Sequence, residues 1–152
     1  MIQRKQTIYL LLAMALTIIC LCLPLGTFVG NENIGQTTTL YNLWTTNADG
    51  ARSFSVWGLF AVLLITCPIN LIAIFSYHNR ITQSRYCLFN ILLIIGWHVG
   101  YAVLALSLSE NYGQYSISFS SILPAISIIL YAMARKAILA DEALVRAADR
   151  IR

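Results

Sequence analysis

The sequence predicts an all-α membrane protein: a four-transmembrane-helix bundle with a small outer loop and a cytoplasmic helical extension of the fourth helix. Three observations carry this expectation. Four apolar runs, Thr7–Phe28, Ser55–Tyr77, Tyr86–Ser109 and Ser116–Ala134, each have about the twenty residues a helix needs to cross a bilayer. The chain is 59% hydrophobic and only 11% charged, with a mean hydropathy of +0.73, which excludes a soluble domain. The charges are also segregated by loop. Arg4, Lys5, Arg80, Arg85, Arg135, Lys136, Arg146, Arg150 and Arg152 fall on one side of the pattern, with Asp141, Glu142 and Asp149. Arg52 falls on the other, with Glu32, Asp49 and Glu110. Nine bases against three acids leave +6, one base against three acids leaves −2, and the two account for the net +4. Cytoplasmic loops carry the excess of Lys and Arg, so both termini are expected in the cytoplasm and the chain in the cell inner membrane.

The first run has a basic start, as a signal peptide does. It continues well past the 7–15 residues of an h-region, and no small-x-small site closes it, so an uncleaved first helix is expected. Backbone polar groups in lipid must be satisfied within the segment, so the runs are helices. Pro24, Pro68 and Pro124 all fall inside them and predict kinks. The outer loop, 30–54, is the one sizeable segment outside the lipid. Its β-forming stretches 37–44 and 52–57 flank a turn signal at Asn47-Ala48-Asp49-Gly50, which predicts a β-hairpin. Trp44, Trp57, Tyr112 and Tyr115 would mark the outer interface, and Tyr9, Tyr77 and Tyr86 the inner one. The tail, 135–152, is Ala-rich and charged. It places Ile138, Leu144, Val145, Ala148 and Ile151 at helical spacing and sets Glu142 and Arg146 four apart in the favourable order. All 152 residues thus make a single membrane domain.

Few residues suggest chemistry. His98 lies near the middle of the third run, and an ionisable group at membrane depth is a functional candidate by default. Thr17, Thr66 and Ser127 lie at similar depth, but no acid lies within any span, so a structural hydrogen bond is the simpler role. Asn70 and Asn90 are candidate intramembrane polar contacts, either bonding across helices or lining a small cavity, as are Ser116, Ser118, Ser120 and Ser121. Gly96 and Gly100 form a G-x-x-x-G, a candidate helix-packing face. Cys20, Cys22, Cys67 and Cys87 lie in or beside the runs, and none is in an outer loop where a disulfide would form. No P-loop, H-E-x-x-H or metal-ligand cluster occurs. No catalytic residue, metal or cofactor is therefore expected, and His78, at the inner surface, is too far in depth from His98 to share a haem.

The ends of the chain carry a resemblance. Met1-Ile2-Gln3-Arg4-Lys5-Gln6-Thr7-Ile8-Tyr9-Leu10, Leu23-Pro24-Leu25, Asn79-Arg80 with Gln83, and Arg135-Lys136 followed by Asp141-Glu142, Leu144-Val145-Arg146 and Asp149-Arg150 resemble domain of unknown function 4293. That is a family of small four-helix membrane proteins of Bacteroidota. The resemblance spans the whole chain and implies that its defining residues gather at the cytoplasmic face. There it implies an ion-pair cluster of Arg4, Arg80, Asp141, Arg146, Asp149 and Arg150. It brings no activity with it. The expected role is that of a non-enzymatic accessory or scaffolding subunit, and the alternative is a binder or carrier of a lipid or other hydrophobic ligand within the bundle. The expected partners are membrane lipid and a membrane or cytoplasmic protein docked on the tail, and not nucleic acid.

Overall fold

The computed structural model describes residues 3–30, 37–47 and 49–150, with the side chains of 3, 4 and 148–150 left aside. Four helices make the bundle: α1 (Gln3–Cys22), α2 (Trp57–Phe75), α3 (Arg80–Tyr112) and α4 (Leu123–Arg150). All four are long and apolar enough to cross a membrane. They close a ring in which α1 packs on α4, α4 on α3 and α3 on α2, while α1 and α2 touch less. The order follows from the short turn Ser76–Asn79, which makes α2 and α3 antiparallel neighbours.

A five-stranded antiparallel sheet covers one end of the bundle. Its order is β4 (Arg52–Ser53), β3 (Thr45–Thr46), β2 (Thr37–Leu40), β1 (Gly26–Val29) and β5 (Gln114–Ile117). The hairpin expected between 37–44 and 52–57 does not form as such: the turn at 47–50 joins β3 to β4, and Thr37–Leu40 pairs with the other edge of β3, all within a larger sheet. The sheet also takes Gly26, Thr27 and Phe28 from the end of the expected first span, and β5 overlaps the start of the expected fourth at Ser116 and Ile117. The physical reason lies in three residues. Pro24 cannot continue a helix, and α1 stops two residues before it instead of kinking. Thr27, Phe28 and Val29 are β-branched or aromatic and pair with Ser116, Tyr115 and Gln114 on one side and with Thr39, Thr38 and Thr37 on the other. Gly113 ends α3 with φ 94°, a conformation only glycine adopts easily, and turns the chain into β5. A Cβ there would also press on the Val29 carbonyl oxygen.

The fourth helix starts at Leu123 after a 3₁₀ turn (Phe119–Ile122), so Pro124 sits in its first turn, where no hydrogen bond is lost. Of the three prolines only Pro68 lies in a helix interior, beyond the first turn. Beyond Ala134, α4 continues unbroken into the tail, as the spacing predicts.

The core has two layers. At the sheet end, Cys20, Leu25, Phe28, Leu40, Leu63 and Trp97 pack together. At the other end, where α1 begins, Leu10, Ala13, Cys87, Ile94, Tyr131 and Ile138 do so. Large apolar side chains such as Leu92, Val103, Leu106 and Ile129 point outward along the flanks. In water such a surface would aggregate, and a bilayer is the solvent that suits it. Trp57, Phe119 and Phe54 stand exposed around the sheet end, where an aromatic belt belongs. Tyr115, expected at that interface, is instead half-buried between Phe28 and Tyr101.

Candidate functional site

The polar residues of the described chain gather at three levels. At the sheet end the centre is Asn42, which is fully buried. Its Nδ2 donates to the Cys20 carbonyl at 2.8 Å, and its Oδ1 accepts from Trp97 Nε1 at 3.2 Å. Its own carbonyl accepts from the Phe60 amide at 3.2 Å. One loop residue thus ties the end of α1, the middle of α3 and the start of α2. The Cys20 carbonyl is one of the last four of α1 and has no partner within the helix, so the bond is a C-terminal cap supplied from the loop. Trp97 stacks on Tyr101 with ring centroids 5.3 Å apart and planes 5° from parallel. Tyr101 meets Tyr115 at 2.5 Å, and the Tyr115 hydroxyl donates to the Leu25 carbonyl at 3.2 Å. Burial, reinforced by the bond to Tyr101, raises the pKa of Tyr115 well above the ordinary tyrosine value. Gly26 makes room for that ring, because a Cβ at Gly26 would overlap it. Of the four serines expected to bond across helices or line a cavity, Ser120 donates to the Pro24 carbonyl, and Ser121 donates locally to that of Ser118. At the sheet edge Arg52 lies over the Trp44 ring, 5.1 Å from its centre.

At mid-depth the expected partners of His98 are engaged elsewhere. Thr17 donates to the Ala13 carbonyl, Thr66 to that of Leu63, and Ser127 is shared between those of Ala13 and Leu123. His98 Nδ1 lies 2.8 Å from the Ile94 carbonyl, one turn back on its own helix, so Nδ1 is the donor. Its Nε2 is buried with no partner. Asn70 Nδ2 donates to the Leu10 carbonyl at 2.9 Å and joins α2 to α1, as a polar contact across helices does. Asn70 Oδ1 and both side-chain polar atoms of Asn90 are buried and unpaired. Within the chain, the glycine face makes little helix contact. A Cβ on Gly96 would meet open space, and one on Gly100 only the Leu59 side chain at 3.7 Å. The small residues buried in the core are instead Ala13, Ala73 and Ala134.

At the terminal end, Asp141 is 8% exposed and draws two elements to α4. Gln6 Nε2 of α1 donates to Asp141 Oδ2 at 3.2 Å. Arg80, the first residue of α3, places Nη1 3.9 Å from the same oxygen and 3.0 Å from the Asp141 main-chain carbonyl, to which it donates. The shorter contact is to the carbonyl, so Arg80 acts as much by a charge-assisted hydrogen bond as by the ion pair. Of the expected cluster, the structure brings Arg80 and Asp141 together. It directs Arg146 to Glu142 instead, at 3.0 Å along the same helix. The side chains of Arg4, Asp149 and Arg150 lie outside the described residues. Gln6 and Asn42 were not picked out as site residues from the sequence. Gln6 had a signal in the N-terminal motif of the resemblance. Asn42 had only its place between Tyr41 and Leu43, an amide flanked by apolar side chains.

One groove opens on the flank of this end, between α3 and α4. It has a volume of ≈ 300 Å³ and is lined by Ile91, Ala132, Arg135, Lys136 and Leu139. Among the described residues, no three His, Cys, Asp or Glu side chains converge on one point. The four cysteines are unbonded, with Cys20 buried and Cys22 exposed, as two positions on nearly opposite sides of a helix should be. No curated protein matches the chain. The family model described as Domain of unknown function (DUF4293) matches residues 2–151. With the match running almost from end to end, the chain belongs to the DUF4293 family.

Proposed function

We propose that the protein is a non-enzymatic accessory or scaffolding subunit of the inner membrane, with both termini in the cytoplasm and the sheet outside. The observation that carries this reading is the continuation of α4 beyond the bundle. Asp141 is the last buried residue described on that helix. The nine residues after it extend for about 13 Å at the rise of an α-helix. Leu144 on this stretch is 63% exposed and Val145 is exposed beside it, with Arg146 next in sequence. A helix that carries apolar side chains away from its own core suits a groove on another protein. Most buried polar groups support the same reading, since Asn42, Thr17, Thr66, Ser127 and Asp141 all bond to structure. The direction of insertion rests on the excess of Lys and Arg at the terminal end.

Full-length protein purified in mild detergent after cross-linking in native membranes tests the reading. A defined partner protein should be retained and then lost with Leu144→Asp, while Leu106→Ala on the outward flank of α3 leaves it in place. Retention that ignores Leu144→Asp, or no stoichiometric partner at all, contradicts it. The second reading, a binder of a hydrophobic ligand within the bundle, is favoured by the unpaired polar atoms of Asn70, Asn90 and His98. A hydrophobic ligand retained by the protein but lost from Asn90→Leu supports that reading over the first.

A further inference from the structure

We propose that the groove between α3 and α4 holds one anionic phospholipid, with its phosphate on Arg135 and Lys136 and the start of an acyl chain along Ile91, Ala132 and Leu139. This goes beyond the scaffolding role and does not depend on it: a lipid here neither needs nor blocks a protein on the tail.

Three observations converge. First, the groove is mixed in a way lipid is: its walls are apolar side chains from two helices, and its remaining lining is two cations. Its ≈ 300 Å³ is at the small end of ligand sites, so it takes the phosphoglycerol part and the upper chain, with the rest lying along the outward flank. Second, these cations have charge to spare. The ion pairs formed among the described residues are Arg80 with Asp141 and Arg146 with Glu142. Arg135 and Lys136 have no carboxylate in reach among those residues. Arg135 Nε is moreover buried with no hydrogen-bond partner, a costly state for a guanidinium. A phosphate takes two parallel hydrogen bonds from a guanidinium and a third from an ammonium.

Third, the depth fits. Arg135 is six residues from Asp141 along α4, about 9 Å of helix rise towards the lipid. Arg80 and Asp141 therefore lie at the cytoplasmic rim, and Arg135 lies deeper, where a headgroup phosphate meets the chains. Long basic side chains reach back from such a position to the polar level. A zwitterionic headgroup would set its own cation beside Arg135 and Lys136, so the site selects net negative lipid.

The test is native mass spectrometry of the full-length protein released from a neutral detergent, with phosphatidylglycerol and phosphatidylcholine of matched chains added in equal amounts. The wild type should keep one phosphatidylglycerol in preference to phosphatidylcholine. In Arg135→Gln/Lys136→Gln the affinity should fall about 30-fold, roughly fivefold for each cation. Ala132→Trp fills the groove with its charges intact and should also lose the lipid. Arg146→Gln removes a cation off the groove and should retain it. Helicity and melting of each variant identify any that does not fold, and Arg135→Gln alone then stands in for the double variant. Equal retention of the two lipids by the wild type overturns the proposal, as does phosphatidylglycerol held by the double variant or by Ala132→Trp. Displacement of the lipid by excess inorganic phosphate would make this a site for the free anion and also overturns it.

Discussion

Replacing Asn42 by alanine should be among the most damaging changes to the sheet end. In a fully buried setting the side chain donates to the Cys20 carbonyl, with a longer contact to Cys20 Sγ, and accepts from Trp97 Nε1. Alanine leaves both partners buried and unpaired. Each stranded group costs about 1–3 kcal/mol, so a loss of about 3 kcal/mol is expected, roughly a 100-fold shift in the folding equilibrium. Trp97→Phe keeps the stacking on Tyr101 and strands only the Asn42 oxygen, so it should cost about 1–2 kcal/mol. The two sites share a bond, so their effects should not add. The double variant should be milder than the sum of the single changes by about 1 kcal/mol. Equilibrium unfolding in mixed micelles, titrated with a denaturing detergent and followed by circular dichroism, measures all three. A loss below about 0.5 kcal/mol for Asn42→Ala, or strict additivity, would refute the claim that this amide joins the helices.

Three other outcomes follow from the same geometry. Gly113→Ala should destabilise by about 1–3 kcal/mol in that assay, from its positive φ and from the Val29 carbonyl in the path of the new Cβ, whereas Gly96→Ala should be near neutral. Arg80→Gln leaves Asp141 with only Gln6, and should cost about 1–2 kcal/mol, part of which returns when Asp141→Asn is added; a double variant as weak as the single one contradicts the pairing. Tyr115 has a raised pKa in the folded chain, so its contribution is complete below the ordinary tyrosine value of 10.0 and falls as pH rises above it. The slope of stability above pH 10 should therefore be shallower in Tyr115→Phe, as read from alkaline melting curves.

How much of this was legible in the sequence depends on the range of the interaction. The four spans were, because hydropathy over about twenty residues is a local property that needs no partner. So was the unbroken run of α4 into the tail. The strand Gly26–Val29 was not, because Thr27, Phe28 and Val29 prolong the apolar run of α1 without a break in hydropathy. Only Pro24 marks the change, and a proline in an apolar run reads equally as a kink or as an end. Strand β5 hid in the same way, as an aromatic and serine stretch leading into the fourth span. At the sites, Arg80 with Asp141 was suggested only by the motifs of the family resemblance, and the structure places the two 3.9 Å apart. Asn42 to Trp97 spans 55 positions and joins a loop to a helix middle, and no local pattern encodes that. Gly96 shows the converse: it belongs to a motif visible in the sequence, yet a Cβ there would meet nothing within the chain.

The central claim is that the four helices cross the membrane and leave the sheet and the two termini on opposite sides. Single cysteines test it in a background where Cys20, Cys22, Cys67 and Cys87 are replaced. Ser53→Cys on β4 and Ala147→Cys near the end of α4 both sit at exposed positions. In intact cells with the outer layer made permeable, a maleimide that cannot cross the inner membrane should label Ser53→Cys at once and Ala147→Cys only after lysis. Equal labelling of the two before lysis, or the reverse order, would contradict the account.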